Sequence, residues 1–194
     1  MSTAWSREAY IKSYRFAAAA HWNENLRQCV PGTDLPYLMH LSFVAMEVLA
    51  ALSVESGHDG DMAIQCALLH DTIEDTAISH GDLVAEFGQV IADGVLALTK
   101  DPAIGRDLPK AERKILQMED SLERIRRQPK AVWMVKMADR ITNLQPPPAH
   151  WSGEKIVAYR DEAKGILSAL RDGSPYLEKR LAAKIDAYPN GVTA

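Results

Sequence analysis

Apolar residues along this chain recur at three- and four-residue intervals, and nowhere do they alternate with polar residues over the length of a strand. The spacing predicts a first helix over residues 6–22, with Tyr10, Tyr14, Ala17 and His21 on its inner face. Pro31-Gly32 marks a loop over 29–35. A strongly apolar stretch over 36–56 reads as a second helix that stops at Gly57, and residues 61–74 read as a third. Ser79 with Asp82 three positions on is a capping-box pattern, opening a helix that ends near Gly88. Further helices are expected over 90–99, from Pro109 at a first helical position to about 127, and from Pro129 up to the run Pro146-Pro147-Pro148. Two more, over 154–170 and 175–188, close the chain, with a loop at 101–108 and a frayed end over 190–194. The expected fold is all-α around a single core, one domain spanning 1–194 with about 6–188 structured.

Composition narrows the class of function. With 194 residues, 47% hydrophobic and 25% charged, the chain can bury a substantial core. A net charge of -4 provides no general basic field, so nucleic acid is not an expected partner, and an anionic small molecule would need a local cationic site. Cys29 and Cys66 are too few for a disulfide framework, which suits a reducing cytosol. Residues 1–14 lack the basic-then-apolar pattern of a signal peptide, and no apolar run would span a bilayer. A cytoplasmic protein without a membrane partner is expected; whether it forms a homo-oligomer is left open.

Candidate chemistry is concentrated in Leu68-Leu69-His70-Asp71-Thr72-Ile73-Glu74-Asp75. On a continuous helix, positions four apart share a face one turn of ~5.4 Å apart, which stacks His70 over Glu74 and Asp71 over Asp75. Ionisable groups on a buried helix are costly unless something pairs with them, and a divalent cation is a natural partner. Neighbouring helical residues diverge by about 100°, so His70 and Asp71 can share one ion only at the helix edge. Upstream, Pro36-Tyr37-Leu38-Met39-His40 opens the second helix; downstream, Asp139 and Asn143 lie four apart on another. The candidate ligand set is therefore His40, His70, Asp71 and Asp139. Two imidazoles and two carboxylates suit Mn²⁺ or Fe²⁺, with Zn²⁺ also compatible. The alternative, a buried hydrogen-bonded His-Asp pair, explains the doublet but not its companions.

Glu74 and Asp75 come one turn after the doublet, close enough to face water held by such an ion. Glu74 is the candidate proton acceptor and Asp75 its positioning partner. Their alternative is a solvated pair, or a salt bridge to Arg140. Lys136 is a candidate phosphate contact or a plain surface lysine, and Arg140 is expected to tie helices together. The basic run Lys100, Arg106, Lys110, Arg113 and Lys114 either steers phosphates or forms a solvated face. His58, His80 and His150 read as solvated.

The order H…HD…D, with Glu-Asp four residues after His-Asp, resembles the HD phosphohydrolase superfamily. The flanking words narrow the likeness: Phe16-Ala17-Ala18-Ala19-Ala20-His21, Pro36-Tyr37, Ala67-Leu68-Leu69-His70-Asp71-Thr72, Glu74-Asp75-Thr76, Phe87-Gly88, Leu98-Thr99, and Lys136-Met137-Ala138-Asp139-Arg140 with Asn143-Leu144. These are similar to the hydrolase half of RelA/SpoT enzymes, and within that group to the stand-alone small alarmone hydrolases, over about residues 10–185. The resemblance implies a helical HD bundle without a synthetase domain, and favours Mn²⁺. It also implies hydrolytic removal of the 3′-pyrophosphate from (p)ppGpp or (p)ppApp. Substrate contact is implied for Asn143, whose alternative is to cap the helix before Pro146. Tyr37 and Tyr159 are candidates to flank the nucleotide or else core or surface tyrosines, and a tyrosine follows the family's Trp-Ser, matched here by Trp151-Ser152. His21 matches a family histidine, with a packed helix-end role equally open.

Two features depart from that pattern. Between His21 and Pro36 the family carries a compact loop rich in Arg and Lys, whereas residues 22–35 form a longer segment with Arg27 as the only basic side chain. Leu41 stands where the family has a proline. Arg27 is then the remaining candidate for a basic contact to substrate, and an adenine alarmone becomes a candidate beside a guanine one. Another HD phosphohydrolase activity, such as removal of phosphate from NADPH, is the enzymatic alternative. A nucleotide-binding regulatory module is the non-enzymatic one.

Overall fold

The computed structural model describes residues 5–190, so the frayed end expected at 190–194 lies, apart from Asn190, outside the described residues. Among the described residues the structure is helical, with two isolated β-bridges and no strand. The helices are α1 (Arg7–His21), α2 (Leu38–Val54), α3 (Gly60–Leu69), α4 (Thr72–Asp75), α5 (His80–Phe87), α6 (Gln89–Leu98), α7 (Lys110–Arg126), α8 (Lys130–Asn143), α9 (Gly153–Leu170) and α10 (Pro175–Ala187), with a 3₁₀ turn at Arg171–Gly173. None is long and apolar enough to cross a membrane.

Three helices make the centre. α3 is buried along nearly its whole length, and α8 is buried from Ala131 to Ile141 except at the partly buried Trp133. Both pack on α2, whose inner face carries Leu41, Val44, Ala45, Val48 and Leu52. Leu41, Ile64, Leu68, Leu69, Met137 and Ile141 are sealed from solvent, each such side chain stabilising the fold by roughly 1.5–3 kcal/mol. α1 covers α3, the α5–α6 pair lies beside it, and α7, α9 and α10 close around α8. The α6 contact requires a glycine: a Cβ at Gly94 would meet Cys66 Sγ at 2.9 Å and Val132 Cγ2 at 3.1 Å. The capping box at Ser79 and Asp82 forms as its spacing predicts. Pro109 serves as the cap of α7 rather than its first helical residue.

One element is corrected. The third helix does not run to residue 74; it stops at Leu69, and a short α4 follows a break at His70-Asp71. Side chains compete for the carbonyls there: His70 Nδ1 donates to Ala67 O at 2.8 Å, and Thr72 Oγ1 to Leu69 O at 2.7 Å. Asp71 leaves the helical region, with φ −102° and ψ 0°.

Candidate metal and substrate site

The break aims the doublet at one point. With Asp71 out of helical geometry, its Oδ2 comes 2.9 Å from His70 Nε2, so neighbouring residues converge where a regular helix would spread them. α2 brings His40 from its first turn, with Nε2 3.3 Å from His70 Nε2 and 3.7 Å from Asp71 Oδ2. α8 brings Asp139, with Oδ1 3.5 Å from His40 Nε2 and 3.9 Å from His70 Nε2. Ligand atoms of His40, His70 and Asp71 all lie within 4.8 Å of one another, close enough to hold one cation.

The donor chemistry fits a cation. His70 Nδ1 is committed to the Ala67 carbonyl, so in the neutral ring Nε2 is a bare lone pair facing the Asp71 carboxylate and the second imidazole. That arrangement needs a positive charge between its members, either a proton or a metal ion. Burial pulls the His70 pKa down, but the charges of Asp71 and Asp139 outweigh it and lift the ring to about 9. Asp139 shows the converse: burial favours its neutral form, yet Lys136 and the imidazoles of His40 and His70 hold it well below the usual carboxylate range.

Each carboxylate is also held from behind. The Tyr37 hydroxyl donates to Asp71 Oδ2 at 2.5 Å, and burial together with that carboxylate keeps the phenol protonated. Asn143 Nδ2 donates to Asp139 Oδ1 at 2.5 Å, and Lys136 Nζ lies 3.3 Å from Asp139 Oδ2. Lys136 is buried, which overturns the surface-lysine alternative. Tyr37 and Asn143, expected at the nucleotide, therefore spend their polar groups on the acidic cluster, although both still line the cavity in front of it.

Glu74 and Asp75 face the same cavity of about 140 Å³. The alternative of a Glu74–Arg140 bridge is not what forms. Glu74 Oε1 pairs with Lys100 Nζ at 2.7 Å, and its Oε2 accepts from Lys100 N at 3.1 Å. Arg140 pairs instead with Glu162, tying α8 to α9 as expected of it. Asp75 Oδ2 accepts from Gln28 Nε2 at 2.8 Å, and burial raises its pKa.

A second cavity, of about 360 Å³, shares Lys100, Lys136, Asp139 and Asn143 with the first. Its outer wall carries Lys114, Lys155, Arg140, Trp151 and Tyr159. Tyr159 is backed by the Arg140 guanidinium 4.6 Å from its ring centre and by the edge of Trp151. The pair of cavities runs from an acidic end to a cationic, aromatic one, a polarity that suits a polyphosphate anion carrying a flat base.

Arg27 is placed differently from its expectation. It is exposed, with its guanidinium 6.0 Å from the Trp22 ring, and it lines neither cavity. Its neighbour Gln28 is the residue of that loop that reaches Asp75. Among the residues that spacing and motifs do not assign to the site are Gln28, Lys100, Lys114 and Lys155; for Lys100 and Lys114 the sequence offers only a basic run. His58 and His80 are not free in solvent, but bond to Glu55 and Asp93.

The HD-domain family profile matches residues 14–173. The chain belongs to the HD-domain family. Among its relatives is the guanosine-3′,5′-bis(diphosphate) 3′-pyrophosphohydrolase MESH1 of Xenopus tropicalis, 31% identical over 175 residues, covering 88% of this chain and 89% of the relative. The enzyme of the same name from Homo sapiens is 31% identical over 175 residues, with the same coverage of 88% and 89%. A solved structure, described as a metazoan orthologue of SpoT that hydrolyses ppGpp and plays a role in starvation responses, superposes with a TM-score of 0.74 at 25% identity. That match covers 96% of this HD-domain chain and 98% of the other.

Proposed function

We propose that this HD-domain protein is a metal-dependent alarmone hydrolase, removing the 3′-pyrophosphate from (p)ppGpp, (p)ppApp or both, and that Mn²⁺ is its working ion. The observation that carries the reading is the cluster of buried His40, His70 and Asp139 with half-buried Asp71, opening directly into a lysine- and aromatic-lined cavity. His40, His70, Asp71 and Asp139 would hold the ion. When bound, it supplies Lewis-acid polarisation of a phosphate oxygen and makes water a better nucleophile near neutral pH.

The chain's own groups do the rest. Tyr37 and Asn143 keep Asp71 and Asp139 turned toward the centre. Glu74 accepts a proton from the attacking water as its oxygen bonds to the phosphorus on the ribose 3′ oxygen. The bond from that phosphorus to O3′ breaks, pyrophosphate is released, and O3′ regains a proton, leaving a nucleoside 5′-di- or triphosphate. Lys100 occupies both oxygens of Glu74, so the carboxylate becomes a proton acceptor as substrate phosphates draw the ammonium toward the second cavity. Lys114, Lys136 and Lys155 offset phosphate charge, and Tyr159 stacks on the base, a contact that tolerates either purine. The protein would act in the cytoplasm on a small nucleotide, with no nucleic acid involved.

The test is turnover of the purified protein with Mn²⁺ on ppGpp, pppGpp, ppApp, pppApp and NADPH. Release of pyrophosphate from at least one alarmone is expected. Orthophosphate from NADPH alone would replace the reading with that of a nucleotide phosphatase, and no turnover of any substrate with bound nucleotide would favour a regulatory module.

A further inference from the structure

The loop over residues 22–35 touches the chemistry at one point, and through an amide rather than a charge. Gln28 is pinned on both sides by its backbone: its N–H donates to His21 O at 3.1 Å, and its carbonyl accepts from Tyr37 N at 2.9 Å. The bridges Trp22–Arg27 and Cys29–Pro36 flank it. Its side chain therefore leaves a fixed point between the end of α1 and the start of α2. There Nε2 donates to Asp75 Oδ2 at 2.8 Å, and Oε1 lies 2.5 Å from His21 Nδ1.

The protons on this chain of groups follow from what each can donate. An ionised carboxylate only accepts, so the Gln28 amide nitrogen must face Asp75 and its oxygen must face His21. His21 Nδ1 must then carry the hydrogen. His21 is buried, and that burial lowers its pKa, which favours the neutral ring, the form in which Nε2 bears no proton. Nε2 is buried with no hydrogen-bond partner, which leaves the ring a single polar tether, the bond to Gln28.

We infer that Gln28 is a positioning residue for Asp75, with buried His21 as its anchor, so that the loop sets the direction of a carboxylate in the reaction site. This rests on the hydrolase reading for the role of Asp75, but the hydrogen-bond chain itself does not. Because Gln28 lines neither cavity, its loss should act on turnover and leave substrate affinity alone.

Two measurements test it. In ¹⁵N NMR of the metal-free or Zn²⁺-loaded protein, His21 should be the Nδ1–H tautomer, and Gln28→Ala should abolish that preference. In kinetics, Gln28→Ala should lower kcat about tenfold, the size of one lost charge-assisted hydrogen bond, with KM and bound metal unchanged. In an Asp75→Asn background the same change should have less than about a twofold effect, because the two residues act as one unit. An Nε2–H tautomer in the native protein would overturn the inference, as would an equal loss of kcat from Gln28→Ala with or without Asp75. Should the wild type turn over no alarmone, the hydrolase reading fails while the tautomer measurement still decides the hydrogen-bond chain.

Discussion

The acidic end of the site and its cationic end are built on opposite principles. His40, His70, Asp71 and Asp139 are short side chains on or beside the three most buried helices; His70 donates a further hydrogen bond to the Ala67 carbonyl, and the two carboxylates accept one from Tyr37 and Asn143. The cationic end presents long side chains, Lys100, Lys114 and Lys155, from α7, α9 and a loop on the exposed surface. A short, buried candidate ligand tethered by a hydrogen bond has few other positions to take. A lysine-lined wall can be re-cut while the cluster stays whole. Substrate preference can therefore drift independently of the hydrolytic chemistry in such a fold.

The sharpest way to break this contrast is to remove a candidate ligand. Asp71→Ala or His70→Ala should abolish both metal retention and hydrolysis while the helical circular-dichroism spectrum persists. Stoichiometric metal in Asp71→Ala would show that the ion sits elsewhere. Next in size is Glu74→Gln, which keeps shape but removes the proton acceptor. Its kcat should fall by roughly 10²–10⁴ with metal still bound, and unchanged turnover would refute the assigned role.

Proton competition sharpens the same comparison. His70 has a pKa of about 9 in the metal-free fold, so below that pH it must lose a proton before it can ligate. Each ion bound should release a proton, and apparent affinity should weaken about tenfold per pH unit as pH falls, becoming flat above pH 9. Metal titrations in buffers of different ionisation enthalpy measure this directly. The sign for folding is opposite: without metal, the contribution of His70 to stability is full below its unfolded pKa of about 6.5 and is lost as pH rises through 9.

Changes at the cationic end should be smaller and should appear in KM. Tyr159→Ala removes a stacking surface worth about 1–3 kcal/mol, or roughly one to two decades in KM for guanine and adenine alarmones alike. Smallest is the effect of the loop on base choice. Its one basic side chain, Arg27, lies near Trp22 outside both cavities, so little selection is expected from it. Adenosine alarmones should be hydrolysed at least as efficiently as guanosine ones, and Arg27→Ala should change kcat/KM by less than the roughly 1.5–3 kcal/mol of a charge-assisted contact. A hundredfold preference for pppGpp over pppApp would show that another segment recognises guanine.

Much of this was legible in residues alone. The helices, the capping box at Ser79 and the identity of the four ligand candidates follow from periodicities and short motifs, which encode interactions within one or two turns of the chain. The helix break at His70-Asp71 was not legible, because a side chain's competition for a carbonyl leaves no mark on the apolar pattern. Nor were the contacts of Glu74 with Lys100, 26 residues away, or of Asp75 with Gln28, 47 residues away. Lys136 and Arg27 make the same point in opposite directions: one lysine is buried against Asp139 and one arginine is left on the surface. The sequence by itself determined which chemistry this chain carries and on which helices. Only the tertiary structure decided which of its charges meet, because such meetings depend on how the helices pack and not on spacing along any one of them.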